Sequence, residues 1–119
     1  MNGKKLTWHK IAEHINEIQF GKNNTGIVEV KRKKICIAKF RDNIFAVAHT
    51  CPHAGGMLAD GYIDGPGNIV CPVHGYRYDL KNGRNSSGEG YYLKNWPVEI
   101  RKDGVYLGME ESSTYWSLF

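Results

Sequence analysis

His49–Gly83, HTCPHAGGMLADGYIDGPGNIVCPVHGYRYDLKNG, is the stretch on which the reading of this chain turns. It holds Cys51-Pro52-His53 and Cys71-Pro72-Val73-His74, a Cys-x-His and a Cys-x-x-His pair separated by the seventeen residues 54–70. Two thiolates and two imidazoles can bind one metal ion tetrahedrally, or two irons bridged by sulfide. Structural zinc sites of this composition draw on Cys-x2–4-Cys and His-x3–5-His spacings, which let both members of a pair turn toward one ion. A Cys-x-His pair is tighter. On extended backbone, residues i and i+2 project roughly in parallel, which suits two neighbouring metals better than one. Pro52 and Pro72 hold the preceding cysteines extended, and Gly55, Gly56 and Gly75 permit close approach of backbone N–H groups to sulfur. A zinc-stabilised binding module is the competing reading.

The same stretch resembles the cluster-binding region of the Rieske iron–sulfur family. With its flanking strands the likeness to the small Rieske ferredoxins covers most of residues 8–109. The resemblance implies one [2Fe–2S] cluster per chain, held by Cys51, His53, Cys71 and His74, with both cysteines on one iron and both histidines on the other. In family members from cytochrome bc complexes each loop carries an additional Cys, and the two form a disulfide. The corresponding positions here are Gly56 and Val73, which places the chain with the Rieske-type ferredoxins and oxygenase components. Two ferric ions, two sulfides and two thiolates sum to no net charge, so reduction is easier than with four cysteines and the potential rises. By the same resemblance Tyr78 donates to a cysteine sulfur and Leu58 shields the cluster. Tyr76 stands where high-potential relatives carry a serine that hydrogen-bonds the cluster, and it is too large to substitute for it simply.

At 119 residues and 41% hydrophobic, the chain reads as one globular domain over 1–119, with a cluster-binding subdomain at about 49–80 and a C-terminal extension at 110–119. Met1–Lys10 carries no secretory apolar region, and no apolar run approaches the length that spans a bilayer. A cytoplasmic carrier with no membrane attachment is the expectation. Three cysteines with two committed to iron leave Cys36, in the apolar run Ile35–Ala38, as a small buried strand residue. His9, His14 and His49 are given no ligand role. The net charge is +4, much of it in Lys31-Arg32-Lys33-Lys34. That run reads first as a hairpin tip whose charges keep strand ends from pairing with other chains. Its second reading is a docking patch for an acidic partner; no nucleic-acid motif accompanies it.

Aromatic and β-branched runs punctuated by Gly, Asn and Asp predict strands at Thr7–Ala12, Gly26–Val30, Lys34–Arg41, Ile44–Ala48, Asn68–Cys71, Tyr76–Asp79, Trp96–Arg101 and Gly104–Met109. Asp42-Asn43 and Lys102-Asp103-Gly104 read as hairpin turns, and Glu13–Phe20 as a short helical turn. The fold expected is all-β, a Rieske-like sandwich or partly open barrel with the cluster subdomain inserted between strands. Asn85–Gly90 is expected to form a third loop near the cluster, and the aromatic Thr114–Phe119 to pack on its own domain.

The function implied is one-electron transfer from a reductase to a terminal oxidoreductase through transient contacts. The acceptor is a ring-hydroxylating dioxygenase or, alternatively, an assimilatory nitrite reductase of which this chain is the small Rieske subunit. Ferredoxin components of the first kind tend to be acidic, whereas the pI here is about 9.0. A redox-sensing regulator would need an effector domain that the sequence does not supply. With Tyr76 in place of the serine, the midpoint potential is expected in the low part of the range of about −150 to +300 mV; a redox titration giving a value above about +100 mV overturns this.

Overall fold

The architecture follows from one strand that is apolar on both faces. In the computed structural model, which describes residues 5–53 and 55–110, β2 (Thr25–Val30), β3 (Lys33–Phe40), β4 (Asn43–Ala48) and β8 (Asn95–Trp96) form an antiparallel sheet in the order β2-β3-β4-β8. Ile35, Cys36, Ile37 and Ala38 of β3 are fully buried, the pattern of a strand covered on both sides. The two-residue period divides them. Ile35 and Ile37 join one core with Ala46, Trp96, Val105 and Leu107. Cys36 and Ala38 join another with Val47, Cys51, Leu58, Cys71 and Tyr78.

A second antiparallel sheet, β1 (Leu6–Ala12), β10 (Gly104–Glu110) and β9 (Val98–Arg101) in the order β1-β10-β9, contributes Val105 and Leu107 to the first core. A third, β5 (Tyr62–Ile63), β6 (Asn68–Val70) and β7 (Arg77–Asp79), contributes Ile69 and Tyr78 to the second. The fold is all-β with open sheets; none closes on itself. The third sheet lies within the segment 49–94 that joins β4 to β8.

Two expectations need correcting. Trp96–Arg101 is not one strand but two, in different sheets: β8 pairs with β4, and β9 with β10. Pro97 sits at the break, where its missing N–H ends one ladder and lets the chain cross to the other sheet. The β3–β4 turn is Arg41-Asp42, because Phe40 pairs with Asn43 and Asn43 begins β4. β5 was not foreseen, since two residues carry no periodicity. The helical turn within Glu13–Phe20 is a 3-10 turn at Ile15–Glu17, and Lys31-Arg32 is a hairpin tip. The Thr114–Phe119 tail lies outside the described residues.

A second 3-10 turn, Leu58–Asp60, carries the fully buried Leu58 into the second core. It is fixed from outside by the β2 side of the fold: Asn23 Nδ2 donates to the carbonyls of Ala59 (2.7 Å) and Gly61 (2.9 Å), and Thr25 Oγ1 donates to Ala59 O (2.8 Å). Gly61 then passes so close to β6 that a Cβ there would lie 1.9 Å from the Val70 carbonyl oxygen. Gly61→Ala is therefore expected to lower the free energy of unfolding by roughly 2–3 kcal/mol in urea titrations. Gly65→Ala, with open space around the new methyl, should stay within about 0.5 kcal/mol. Equal effects would refute the close approach as the cause.

Candidate metal centre

Two loops leave the second core side by side, and they are built alike. In the first, Cys51 N–H donates to Gly56 O (2.8 Å) and Gly55 N–H donates to Cys51 O (3.0 Å); in the second, Cys71 N–H donates to Tyr76 O (2.9 Å) and Gly75 N–H to Cys71 O (3.0 Å). Each turn is closed by a glycine at positive φ, +71° for Gly55 and +74° for Gly75. Neither glycine is there for space, since a Cβ would meet nothing at either position. The left-handed conformation is the requirement.

The turns separate the four candidate donors by depth. Cys51 and Cys71 are 2% and 1% exposed and belong to the hydrophobic core, whereas His53 is half-buried and His74 exposed. The two imidazoles meet, with His53 Nδ1 and His74 Nδ1 3.3 Å apart. A tetrahedral ion with metal–nitrogen bonds of about 2.0–2.1 Å separates two nitrogen ligands by about 3.3–3.4 Å, so this spacing fits two imidazoles on one ion. Among the described residues no three His, Cys, Asp or Glu side chains converge on a single ion position. A structural zinc needs four such donors. Two irons need only a pair of protein ligands each, one of thiols and one of imidazoles, which is the division the depth of the residues provides.

Burial pushes the Cys71 thiol above its usual range, against the pull of the Val73 and His74 backbone N–H groups. The Tyr78 hydroxyl, itself fully buried, lies 3.3 Å from Cys51 Sγ. Burial and then this sulfur push the phenol well above its ordinary pKa; either atom of the contact can donate, and a thiolate at Cys51 would accept from Tyr78. Leu58 packs in the same core as both thiols, while its neighbour Met57 is exposed. Cys36 shares that core; burial pushes its thiol up to about 12, which keeps it inert.

Tyr76 stacks on the His53 ring, with centroids 4.2 Å apart and planes 24° from parallel. Tyr91 closes on the same ring at 5.3 Å. The sequence reading missed Tyr91, although an aromatic pair directly after a glycine-rich loop was a signal that the loop folds against something flat. Residues 85–90 do form a third loop here, without a proline. Asn85 Nδ2 donates to Arg77 O (3.0 Å), and Arg77 N–H donates to Ser87 Oγ (2.9 Å), which ties the loop to β7. Glu89 accepts from Ser87 and Asn85, and those bonds hold its carboxyl below the usual carboxylate range. His9 lies on β1 and His14 is exposed beside the first 3-10 turn, both away from the loops. His49 Nδ1 is buried without a hydrogen-bond partner among the described residues.

A family model of the Rieske [2Fe-2S] domain matches residues 7–96. The chain is 28% identical over 83 residues to the ferredoxin component of a 2,4-dinitrotoluene dioxygenase system from Burkholderia sp. (strain RASC), covering 69% of this chain and 79% of that one. Among solved structures it is similar to a chain in the complex of reduced oxygenase and oxidized ferredoxin of carbazole 1,9a-dioxygenase, with a TM-score of 0.72, 25% identity, and 89% and 96% of the two chains covered. It shares its fold with a candidate NADH-dependent nitrite reductase small subunit from Mycobacterium tuberculosis, at TM-score 0.77 and 13% identity over 91% and 99% of the two chains.

The facing of the two loops has a direct test. A Cβ at Gly56 would lie 3.5 Å from Val73 Cβ, within the range of about 3.5–4.5 Å that a disulfide requires. The double variant Gly56→Cys/Val73→Cys is expected to form a bridge between the two introduced thiols, read by peptide mapping and by loss of two hydrogens from the intact mass. Bridging to Cys71 instead, or no bridge under oxidising conditions, would refute this placement of the loops.

Proposed function

We infer that this chain, which belongs to the Rieske [2Fe-2S] domain family, is a one-electron carrier whose single cluster is held by Cys51 and Cys71 on one iron and His53 and His74 on the other. The observation that carries the ligand assignment is the contact between the two imidazole Nδ1 atoms at 3.3 Å above two buried thiols. The bound cluster supplies reversible storage of one electron. The protein does the rest. The core around Cys36, Leu58 and Tyr78 keeps water from the thiolate side, and the Tyr78 hydroxyl and the Val73 and His74 N–H groups stabilise negative charge on the sulfurs. With both Nδ1 atoms turned inward, the opposite Nε2–H edges are left to face a partner, and His74 is the more exposed of the two. Those edges are the exit, across a small and transient interface.

The electron reaches this carrier from a reductase and leaves to the oxygenase component of a ring-hydroxylating system, the setting of the dioxygenase ferredoxin it resembles. The small Rieske subunit of an assimilatory nitrite reductase is the second reading: a pI of about 9.0 tempers the first, and the fold is shared with a subunit of that kind. Transfer to a purified oxygenase component or to a sirohaem reductase distinguishes the two. No helix among the described residues is long and apolar enough to cross a membrane. Three cysteines, none in a disulfide, suit the reducing cytoplasm where this reading puts the protein.

Reductive titration followed by electron paramagnetic resonance should give a Rieske-type signal, with two irons and two sulfides per chain. Zinc with no signal, in protein prepared anaerobically, would overturn the assignment. Tyr78→Phe should keep the cluster and lower its midpoint by roughly 20–60 mV, the worth of one hydrogen bond in a one-electron couple. An unchanged potential would remove Tyr78 from the set of sulfur donors.

A further inference from the structure

The two imidazoles are held in different ways. Among the described residues, the hydrogen-bond contact of each ring is the one between their Nδ1 atoms. A histidine ligand is ordinarily oriented by an acceptor on its other ring nitrogen. For His53 the orienting groups are rings. Tyr76 stacks on it with centroids 4.2 Å apart and planes 24° from parallel, and Tyr91 meets it at 5.3 Å and 53°. For His74 the nearer tyrosine is Tyr76, at 6.1 Å and 44°. Stacked rings attract beyond the area they bury. His53 is accordingly half-buried, and His74 is exposed.

Both tyrosines are anchored from behind. Tyr76 packs against the core that holds the thiols, and its carbonyl closes the second loop by accepting from Cys71 N–H (2.9 Å). The next residue, Arg77, is tied to the third loop three times. Its carbonyl accepts from Asn85 Nδ2 (3.0 Å) and Ser86 N–H (2.9 Å), and its N–H donates to Ser87 Oγ (2.9 Å). The far end of that loop is fixed where Arg84 pairs with Tyr92 and Leu93 N–H donates to Gly83 O (2.9 Å). Tyr91, beside that pairing, is therefore located by the same strand as Tyr76, and the two rings lie 5.9 Å apart. Two anchored rings against one imidazole limit the torsions of His53, and the contacts of His74 are looser.

We propose that Tyr76, backed by Tyr91, is a positioning residue that fixes the His53 ring plane at the cluster and shields that imidazole from water. His74 is left as the freer of the two ligands. The proposal rests on the electron-carrier reading and its ligand assignment, and adds the residues that make the two histidines unequal.

The test uses the full chain with its cluster, reduced and read by pulsed electron paramagnetic resonance. Two strongly coupled nitrogens are expected, one from each imidazole, and each coupling depends on the orientation of its ring. Tyr76→Ala should change one coupling and leave the other. Tyr76→Phe, which keeps the stack, should leave both as they were. Tyr91→Ala, at a position 39% exposed, should change the same coupling by less. Tyr92→Ala, which removes an exposed ring with no contact to His53 among the described residues, should change neither. Reduction gives the neutral cluster a negative charge, which water stabilises, so uncovering His53 favours the reduced form. Tyr76→Ala should therefore raise the equilibrium constant for reduction about threefold, or about 28 mV at 59 mV per tenfold for one electron. Tyr76→Phe should not. Both couplings changing together, neither changing in Tyr76→Ala and Tyr91→Ala, or Phe behaving like Ala overturns the proposal. If Tyr76→Ala takes up no cluster, Tyr91→Ala and Tyr76→Phe decide by the same criteria. Failure of the ligand reading would look different: the unsubstituted protein would itself lack two strongly coupled nitrogens.

Discussion

Everything at the metal centre depends on two turns closed by the same pair of backbone hydrogen bonds. In each, the Cys N–H reaches the carbonyl five residues on, and the Cys carbonyl receives the N–H of a left-handed glycine four residues on. The match places both thiols at one depth, in the core. The two sequences differ by one residue between Cys and His, and that offset lets the imidazoles approach from two loops until their Nδ1 atoms meet. Because each loop sends its thiol inward and its imidazole outward, neither loop can give both donors to one ion. The backbone, more than the identity of the four side chains, sets the thiols apart from the imidazoles.

Those turns need a rigid floor, and β3 provides it. Its residues Ile35–Ala38 are buried on both faces, so the core beneath the thiols and the core between the two larger sheets share one wall. Cys36 makes sense in that setting. It faces the side that also holds Cys51, Leu58 and Tyr78, where a residue larger than a thiol would press on the floor of the site. From the other direction, Asn23 and Thr25 grip the carbonyls of Ala59 and Gly61 and fix the turn that supplies Leu58. Loop positions are thus set by hydrogen bonds to backbone atoms more than thirty residues away in sequence.

Long-range contacts of that sort divide what the sequence disclosed from what it withheld. The four donors were legible because their spacing is local, and the strands of the large sheets because alternation over six to eight residues is strong. The break at Pro97 was readable only in part: a proline marks the end of a ladder, but not that the chain continues in another sheet. β5 has two residues and owes its existence to β6. The stacking of Tyr76 on His53, and of Tyr91 behind it, brings together residues from three separate loops. Nothing local encodes that meeting. The basic run Lys31–Lys34 was visible at once, and the register makes its first two residues a hairpin turn.

The surroundings of the site divide into groups that address the sulfurs and rings that pack on an imidazole. The Tyr78 hydroxyl and the Val73 and His74 N–H groups address sulfur inside a medium of low dielectric, where a single dipole changes the relative stability of the two oxidation states. Tyr76 belongs to the second group, its ring stacked on His53 with Tyr91 beside the same imidazole. The thiol side of the site and its imidazole side are therefore served by different parts of the chain.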